Sequence, residues 1–175
     1  MIATSAGRVF EAHPAAVVVP IVNRSEELLL LESPLRPGWW EPVNGAVEAR
    51  ETLLEAALRE VREEVGADVR VRPLGVVHAS TFAYDARVSH MISVAYLMAY
   101  EGGSPQPGDD MRGSRVRWAA ADEIEKDGLR LVPPLDQAWL RQRTLDLFRL
   151  WEPAPAVPLQ GPLVEGGWNK LDDAR

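Results

Sequence analysis

Three glutamates carry the most legible chemistry in this chain. Glu60, Glu63 and Glu64 stand at positions i, i+3 and i+4, so any helix that carries them projects all three from one face. Like charges held that close repel one another unless a cation sits among them. A small site built from hard carboxylate oxygens suits Mg²⁺ or Mn²⁺.

The helix that must present them is well marked. Thr52 is placed to act as N-cap, with Glu55 three residues on to complete a capping box, and Gly66 follows as a C-terminal stop. Leu54, Leu58, Val61 and Val65, with Leu53 and Ala57 beside them, form an apolar stripe, and the glutamates are expected to flank it. Upstream, Ala15–Val22 and Leu28–Leu31 are apolar runs around the turn-like Asn23-Arg24-Ser25, and together they predict a buried hairpin. Ser33–Gly38 reads as a loop, and Trp39-Trp40-Glu41-Pro42-Val43-Asn44-Gly45 leads towards the helix. Downstream, Val69–Ser80 and Val88–Tyr100 predict two strands, Glu101–Gly113 a loop, Ser114–Ala119 a short strand and Ala121–Lys126 a helical turn. Pro133-Pro134 is expected to open a last helix that runs to about Leu150.

The order Gly45, five residues, Glu51, seven residues, Arg59-Glu60-Val61, one residue, Glu63-Glu64, one residue, Gly66 resembles the complete signature of the Nudix hydrolase family. Two positions are softer. Ala67 stands where a larger aliphatic residue is usual, and Val43-Asn44 precedes Gly45 in place of the commoner Pro-Gly. Asn44 tolerates the backbone angles a glycine would take, so the turn can survive.

That resemblance implies an α/β fold, a Nudix-type α/β/α sandwich with a mixed β-sheet. It also implies Mg²⁺ (or Mn²⁺)-dependent hydrolysis of a phosphoanhydride bond in a nucleoside diphosphate linked to another group. The linked compound would be a nucleoside triphosphate, a nucleotide sugar or a dinucleoside polyphosphate. By the same resemblance Glu60 and Glu64 are metal ligands, Glu63 a third ligand or close supporter, and the Gly45 carbonyl a further oxygen. Arg59 and Glu51 would orient the helix and loop as a charged pair. Many members supply a further glutamate from a later loop; here that loop reads Pro107-Gly108-Asp109-Asp110-Met111-Arg112-Gly113-Ser114, with Asp110 or Asp109 in its place. Glu63 or Glu60 is the alternative base.

For substrate, Trp39, Trp40, Phe82 and Tyr84 are stacking candidates, and Arg36, Arg87, Arg112, Arg115 and Arg117 are phosphate candidates. Tyr84 falls at about the distance beyond the signature where dinucleoside polyphosphate members carry a tyrosine. His13, His78 and His90 show no metal-ligand spacing, and only His90 has a strand position facing a cleft. A noncatalytic nucleotide sensor on the same fold is the competing reading. A sensor has no need of three mutually repelling carboxylates, which favours the enzyme.

The whole chain sets the remaining bounds. Its 175 residues, 46% hydrophobic and 26% charged, are enough for one domain with a buried core, expected over 1–150. Residues 151–175, rich in proline and glycine, are expected to form an extended tail packed on the domain or on a partner subunit. The apolar tail is compatible with a homodimer, which the resemblance also suggests. There is no cysteine, hence no disulfide framework and no thiolate ligand or nucleophile. Neither a signal peptide nor a bilayer-spanning run is evident, so a cytoplasmic protein without membrane attachment is expected. A net charge of −7 argues against binding extended nucleic acid through a basic surface.

Overall fold

The structure, a computed structural model, describes residues 1–3 and 5–154. In chain order the elements are β1 (Ile2–Ala3), β2 (Val9–Phe10), β3 (Ala15–Val19), β4 (Ile21–Val22), β5 (Leu28–Glu32), β6 (Trp39–Glu41), β7 (Val43–Ala46), α1 (Leu53–Val65), β8 (Arg70–Phe82), β9 (Met91–Gly102), β10 (Val116–Ala119), α2 (Ala121–Lys126), β11 (Arg130–Leu131) and α3 (Ala138–Trp151). A 3₁₀ turn, Asp109–Met111, lies between β9 and β10.

β1 and β2 make a separate two-stranded ribbon, and β3 to β11 form one mixed sheet. β9 is its hub. It pairs in parallel with β3 (Ala16↔Ser93, Val17↔Val94) and β4, and antiparallel with β8. The expected hairpin survives as the single register pair Val22↔Leu28. Beyond it the two runs take different partners: β3 is antiparallel to β7 (Val17↔Gly45), and β5 is antiparallel to β6 and β10. Pro20, which has no N–H to donate, separates β3 from β4 where the pairing changes. Because only Pro42 separates β6 from β7, this short stretch joins the two diverging parts of the sheet and delivers Gly45 to the start of the loop before α1.

The two faces of the sheet are covered by different helices. Val17, Val19, Ile21, Leu29, Leu31, Val43, Tyr96 and Met98 pack with Ala56, Ala57, Val61 and Val65 of α1. Val22, Leu28, Leu30, Ala95, Leu97 and Ala99 pack with Leu140, Leu145 and Phe148 of α3, and with Ile124 of α2. This is the α/β sandwich with a mixed sheet that the sequence leads one to expect.

Most strand boundaries shift by one or two residues from those read in the sequence, and three differences have a physical cause. β9 begins at Met91 because the Asp85 carboxylate accepts the N–H groups of Arg87 and Val88, and Tyr84 N–H bonds the Val88 carbonyl, so Val88 belongs to a turn. α3 begins at Ala138, five residues after Pro133. Arg141 Nη1 donates to the carbonyls of Leu135 and Asp136, both at 2.8 Å, and Leu135 is fully buried, so the preceding segment is held in turns. α3 also runs through Trp151, which packs at the edge of the core, so the helix extends one residue past the expected domain limit. The expected tail otherwise falls on 155–175, outside the described residues. No helix among the described residues is long and apolar enough to cross a membrane.

Leu30→Ala, at a fully buried position on the α3 face, is expected to destabilise the fold by about 2–5 kcal/mol in urea unfolding.

Candidate active site

α1 starts as its sequence dictates. Thr52 accepts from Glu55 N–H at 3.2 Å, and the Glu55 carboxylate returns a bond from Thr52 N–H at 2.7 Å. Its packed face includes the expected stripe but is centred differently. The residues buried along α1 are Ala56, Ala57, Glu60, Val61, Glu64 and Val65, whereas Leu53, Leu54 and Leu58 are only half-buried. Glu60 and Glu64 therefore lie within the face that docks on the sheet instead of flanking it, 8% and 4% exposed. Glu63 points outward, its side chain 41% exposed.

Gly45 is what lets this happen. A Cβ on Gly45 would stand 1.9 Å from Glu60 Oε1 and 2.1 Å from its Cδ, so the strand backbone and the carboxylate occupy space no side chain could share. The requirement is one of close approach. One residue earlier, Asn44 N–H donates to Glu64 Oε2 at 3.1 Å. β7 thus touches both buried carboxylates.

Arg59 organises the outer side. Its Nε and Nη2 grip both oxygens of Glu51 at 3.1 and 2.8 Å, Nη2 also donates to the Ala46 carbonyl at 2.8 Å, and Nη1 donates to Glu60 at 2.6 Å and Glu63 at 2.9 Å. One guanidinium so ties the loop before the helix to two of the three glutamates. The same bonds hold the Glu51 carboxyl below the usual carboxylate range and raise the Arg59 pKa.

The interior electrostatics run the other way. Burial raises the Glu60 pKa, against the pull of Arg59. Glu64 is pushed up to about 9, first by desolvation and then by the charges of Asp110, Glu60 and Glu41, although the Asn44 N–H favours its ionised form. Such a set of carboxylates has the charge that a cation would balance. Among the described residues no three ligand-type side chains already converge to hold one, and Glu60 and Glu63 rest on Arg59. The donor chemistry nonetheless fits a hard divalent ion, since the nearest groups are carboxylate oxygens, which such an ion favours in their ionised form.

Of the residues read from the sequence, the structure gathers Gly45, Glu51, Arg59, Glu60, Glu63 and Glu64, with Asp110 close enough for its charge to act on Glu60 and Glu64. Arg36 lies within electrostatic reach of Glu41. Arg112 follows Asp110 in the same turn, its N–H on the Asp109 carbonyl. Tyr84 and Arg87 sit on the exposed β8–β9 connection. The register Ser93↔Ala16↔Ala46 sets that connection at the same end of the sheet as the loop before α1, two strands away from β7.

Trp40 is a correction: it is 8% exposed in the α3-side core, with the Arg115 guanidinium 5.4 Å from its ring, so it packs and offers no face for stacking. Arg115 is spent on Glu32 at 2.6 and 2.8 Å, and Arg117 on Asp127. His90 stacks on His13, ring centroids 4.3 Å apart, and His78 on the edge of Trp139.

Glu41 is the site residue that the sequence reading missed. Half-buried on β6, it lies near Ser33 and Asn44, and desolvation raises its pKa. A period-two reading finds it: if Trp40 is core on one face, Glu41 must face α1.

The comparisons agree with this architecture. The family model for the NUDIX domain matches residues 12–142, and the chain belongs to that family. Among curated relatives it is similar to an ADP-ribose pyrophosphatase of Methanocaldococcus jannaschii, 34% identical over 57% of this chain and 59% of that protein. It is also similar to the NAD-capped RNA hydrolase NudC of Chromobacterium violaceum, 34% identical over 59% of this chain and 37% of the relative. The chain thus spans well under two thirds of either relative. Among solved structures, a NUDIX-family hydrolase from Clostridium perfringens superposes with a TM-score of 0.63 at 18% identity, covering 77% of this chain and 97% of the other. That likeness shows the fold.

Two outcomes follow. Gly45→Ala must displace Glu60, and is expected to cost on the order of 1–3 kcal/mol in urea unfolding together with a loss of Mn²⁺ affinity by titration calorimetry; unchanged values would show that the strand yields. Glu64 binds its proton more tightly folded than unfolded, so its contribution to stability is full below the ordinary carboxylate pKa and is lost as pH rises towards about 9. The metal-free protein should therefore weaken from pH 5 to pH 9 in thermal unfolding, and Glu64→Gln should flatten that slope.

Proposed function

We propose that this protein hydrolyses a phosphoanhydride bond in a nucleoside diphosphate linked to another group, using Mg²⁺ or Mn²⁺. The observation that carries the reading is the burial of Glu60 and Glu64 against Gly45, inside the docking face of α1, where apolar residues would stabilise the fold better. The relatives are named for ADP-ribose and NAD-capped RNA, and a third for dihydroneopterin triphosphate. A phosphoanhydride attached to an organic group is common to all three compounds.

Glu60 and Glu64, with Glu63 and the Gly45 carbonyl, would hold the cation. When bound it neutralises the phosphate oxygens and lowers the pKa of the attacking water. The remaining work falls to the chain. Glu51 fixes Arg59, which sets the spacing between the loop at Ala46 and the glutamates on α1, and so aligns attack. Two carboxylates on the open side, Glu63 and Asp110, are placed to take the water's proton. Arg36, Arg87 and Arg112 are the phosphate candidates that remain after Arg115 and Arg117 are found paired, and Tyr84 is a candidate for stacking on the base.

The test is turnover of nucleoside triphosphates, ADP-ribose, nucleotide sugars and dinucleoside polyphosphates with Mg²⁺ or Mn²⁺, read as released phosphate or pyrophosphate. Activity abolished by EDTA and by Glu64→Gln is expected, and Glu63→Gln beside Asp110→Asn assigns the proton acceptor by the larger fall in kcat. Tight nucleotide binding with no turnover of any compound would overturn the reading in favour of a sensor.

A further inference from the structure

The last carbonyls of α1 have no partner within the helix. They are met by a loop far away in sequence. Gln106 N–H donates to the Val65 carbonyl at 2.8 Å, and Gly108 N–H donates to the Glu64 carbonyl at 3.2 Å. The contact is tight enough to dictate residue type. A Cβ on Gly108 would stand 2.7 Å from the Glu63 carbonyl oxygen, which is backbone and cannot swing aside. At φ −120° and ψ −173° any residue could adopt Gly108's backbone, so the glycine answers to space and not to conformation.

The loop is pinned on both sides of that contact. Ser104 N–H donates to Asp68 Oδ2 at 2.8 Å, and a Cβ on Gly103 would come within 2.0 Å of the Asp68 carbonyl oxygen. After Gly108, Met111 N–H returns to the Gly108 carbonyl at 2.9 Å, and the Met111 side chain, 2% exposed, is buried in the α1-side core. Asp110 rides between these two anchors.

We infer that Gly108 is a positioning residue: its missing side chain lets the 103–111 loop pass the Glu63 carbonyl and cap α1 at the carbonyls of Glu64 and Val65, and so fixes Asp110 near the carboxylates of Glu60 and Glu64. This rests on the hydrolase reading for its effect on rate, but the geometry can be measured without it. The loop and α1 are joined backbone to backbone. A shift at Gly108 therefore moves Asp110 relative to the glutamates without touching substrate.

The test combines exchange and kinetics. In the unaltered protein, the Gln106 and Gly108 amides are expected to be protected from hydrogen exchange to the level of the α1 amides; exchange at unprotected rates would overturn the inference whatever the activity. Gly108→Ala is then expected to deprotect both amides and, on a substrate found in the panel above, to lower kcat about tenfold or more with KM nearly unchanged. A double-mutant cycle supplies the reading that a merely structural role would not give. If Gly108 acts through Asp110, adding Asp110→Asn to Gly108→Ala should cost much less than Asp110→Asn costs alone. Full additivity, or a lowered Tm with kcat per folded molecule unchanged, would overturn the inference. Absence of turnover in the unaltered protein would strike the hydrolase reading and leave the exchange result to decide this one.

Discussion

Everything at this site depends on one unfavourable act, the burial of two carboxylates in the face by which a helix docks on its sheet. Glu60 and Glu64 occupy positions where leucine or alanine would lower the free energy of folding, and their proton affinities record the strain. The surrounding features each offset part of that cost. Gly45 removes a side chain, Asn44 N–H gives Glu64 a partner, and Arg59 lends positive charge to Glu60 while being held by Glu51. What these leave is a pair of buried carboxyl groups whose ionised forms would be stabilised by a cation, the property on which the proposed chemistry rests.

How much of this could be read beforehand varied with the kind of interaction involved. The capping box and the i, i+3, i+4 spacing of the glutamates are local, and both appear in the structure as the residues predict. The direction in which α1 docks is not local. A charged residue is ordinarily assigned to solvent, so the sequence puts Leu54 and Leu58 at the centre of the buried stripe; in the structure they pack at its edge, half-buried, and Glu60 and Glu64 take the buried positions. Short strands such as β6 and β7 carry too few residues to show an alternation, and they exist because longer neighbours offer them hydrogen bonds. The same brevity hid Glu41 and made Trp40 look available to a ligand. The ion pairs of Arg115 and Arg117 are not legible in the sequence for a related reason: their acidic partners, Glu32 and Asp127, are distant along the chain or on another element.

The division of labour within the molecule also explains how relatives named for such different compounds can share it. The carboxylates, Gly45 and Arg59 all stand on β7, α1 and the short loop between them, a unit fixed by backbone contacts and one guanidinium. The candidates for recognising the rest of a substrate, Arg36, Tyr84, Arg87 and Arg112, lie on connections outside that unit. Reaction and recognition can therefore vary separately on this fold.

The parallel pairing of β3 with β9 has a consequence for how the chain is made. Ala15 finds Ile92, and Val18 finds Ala95, so the central pair of the sheet closes only after everything between them has been synthesised. Such long loop closure slows folding, and until it is complete α1 can dock only on β3 and β7, the paired strands that precede it. Its early persistence rests on Thr52 and Glu55 at one end. A ribosome-bound chain that ends before β9 would already hold Glu60 and Glu64 against β7, but would lack Asp110 and the amides of Gln106 and Gly108, so the open side of the carboxylate cluster is completed last.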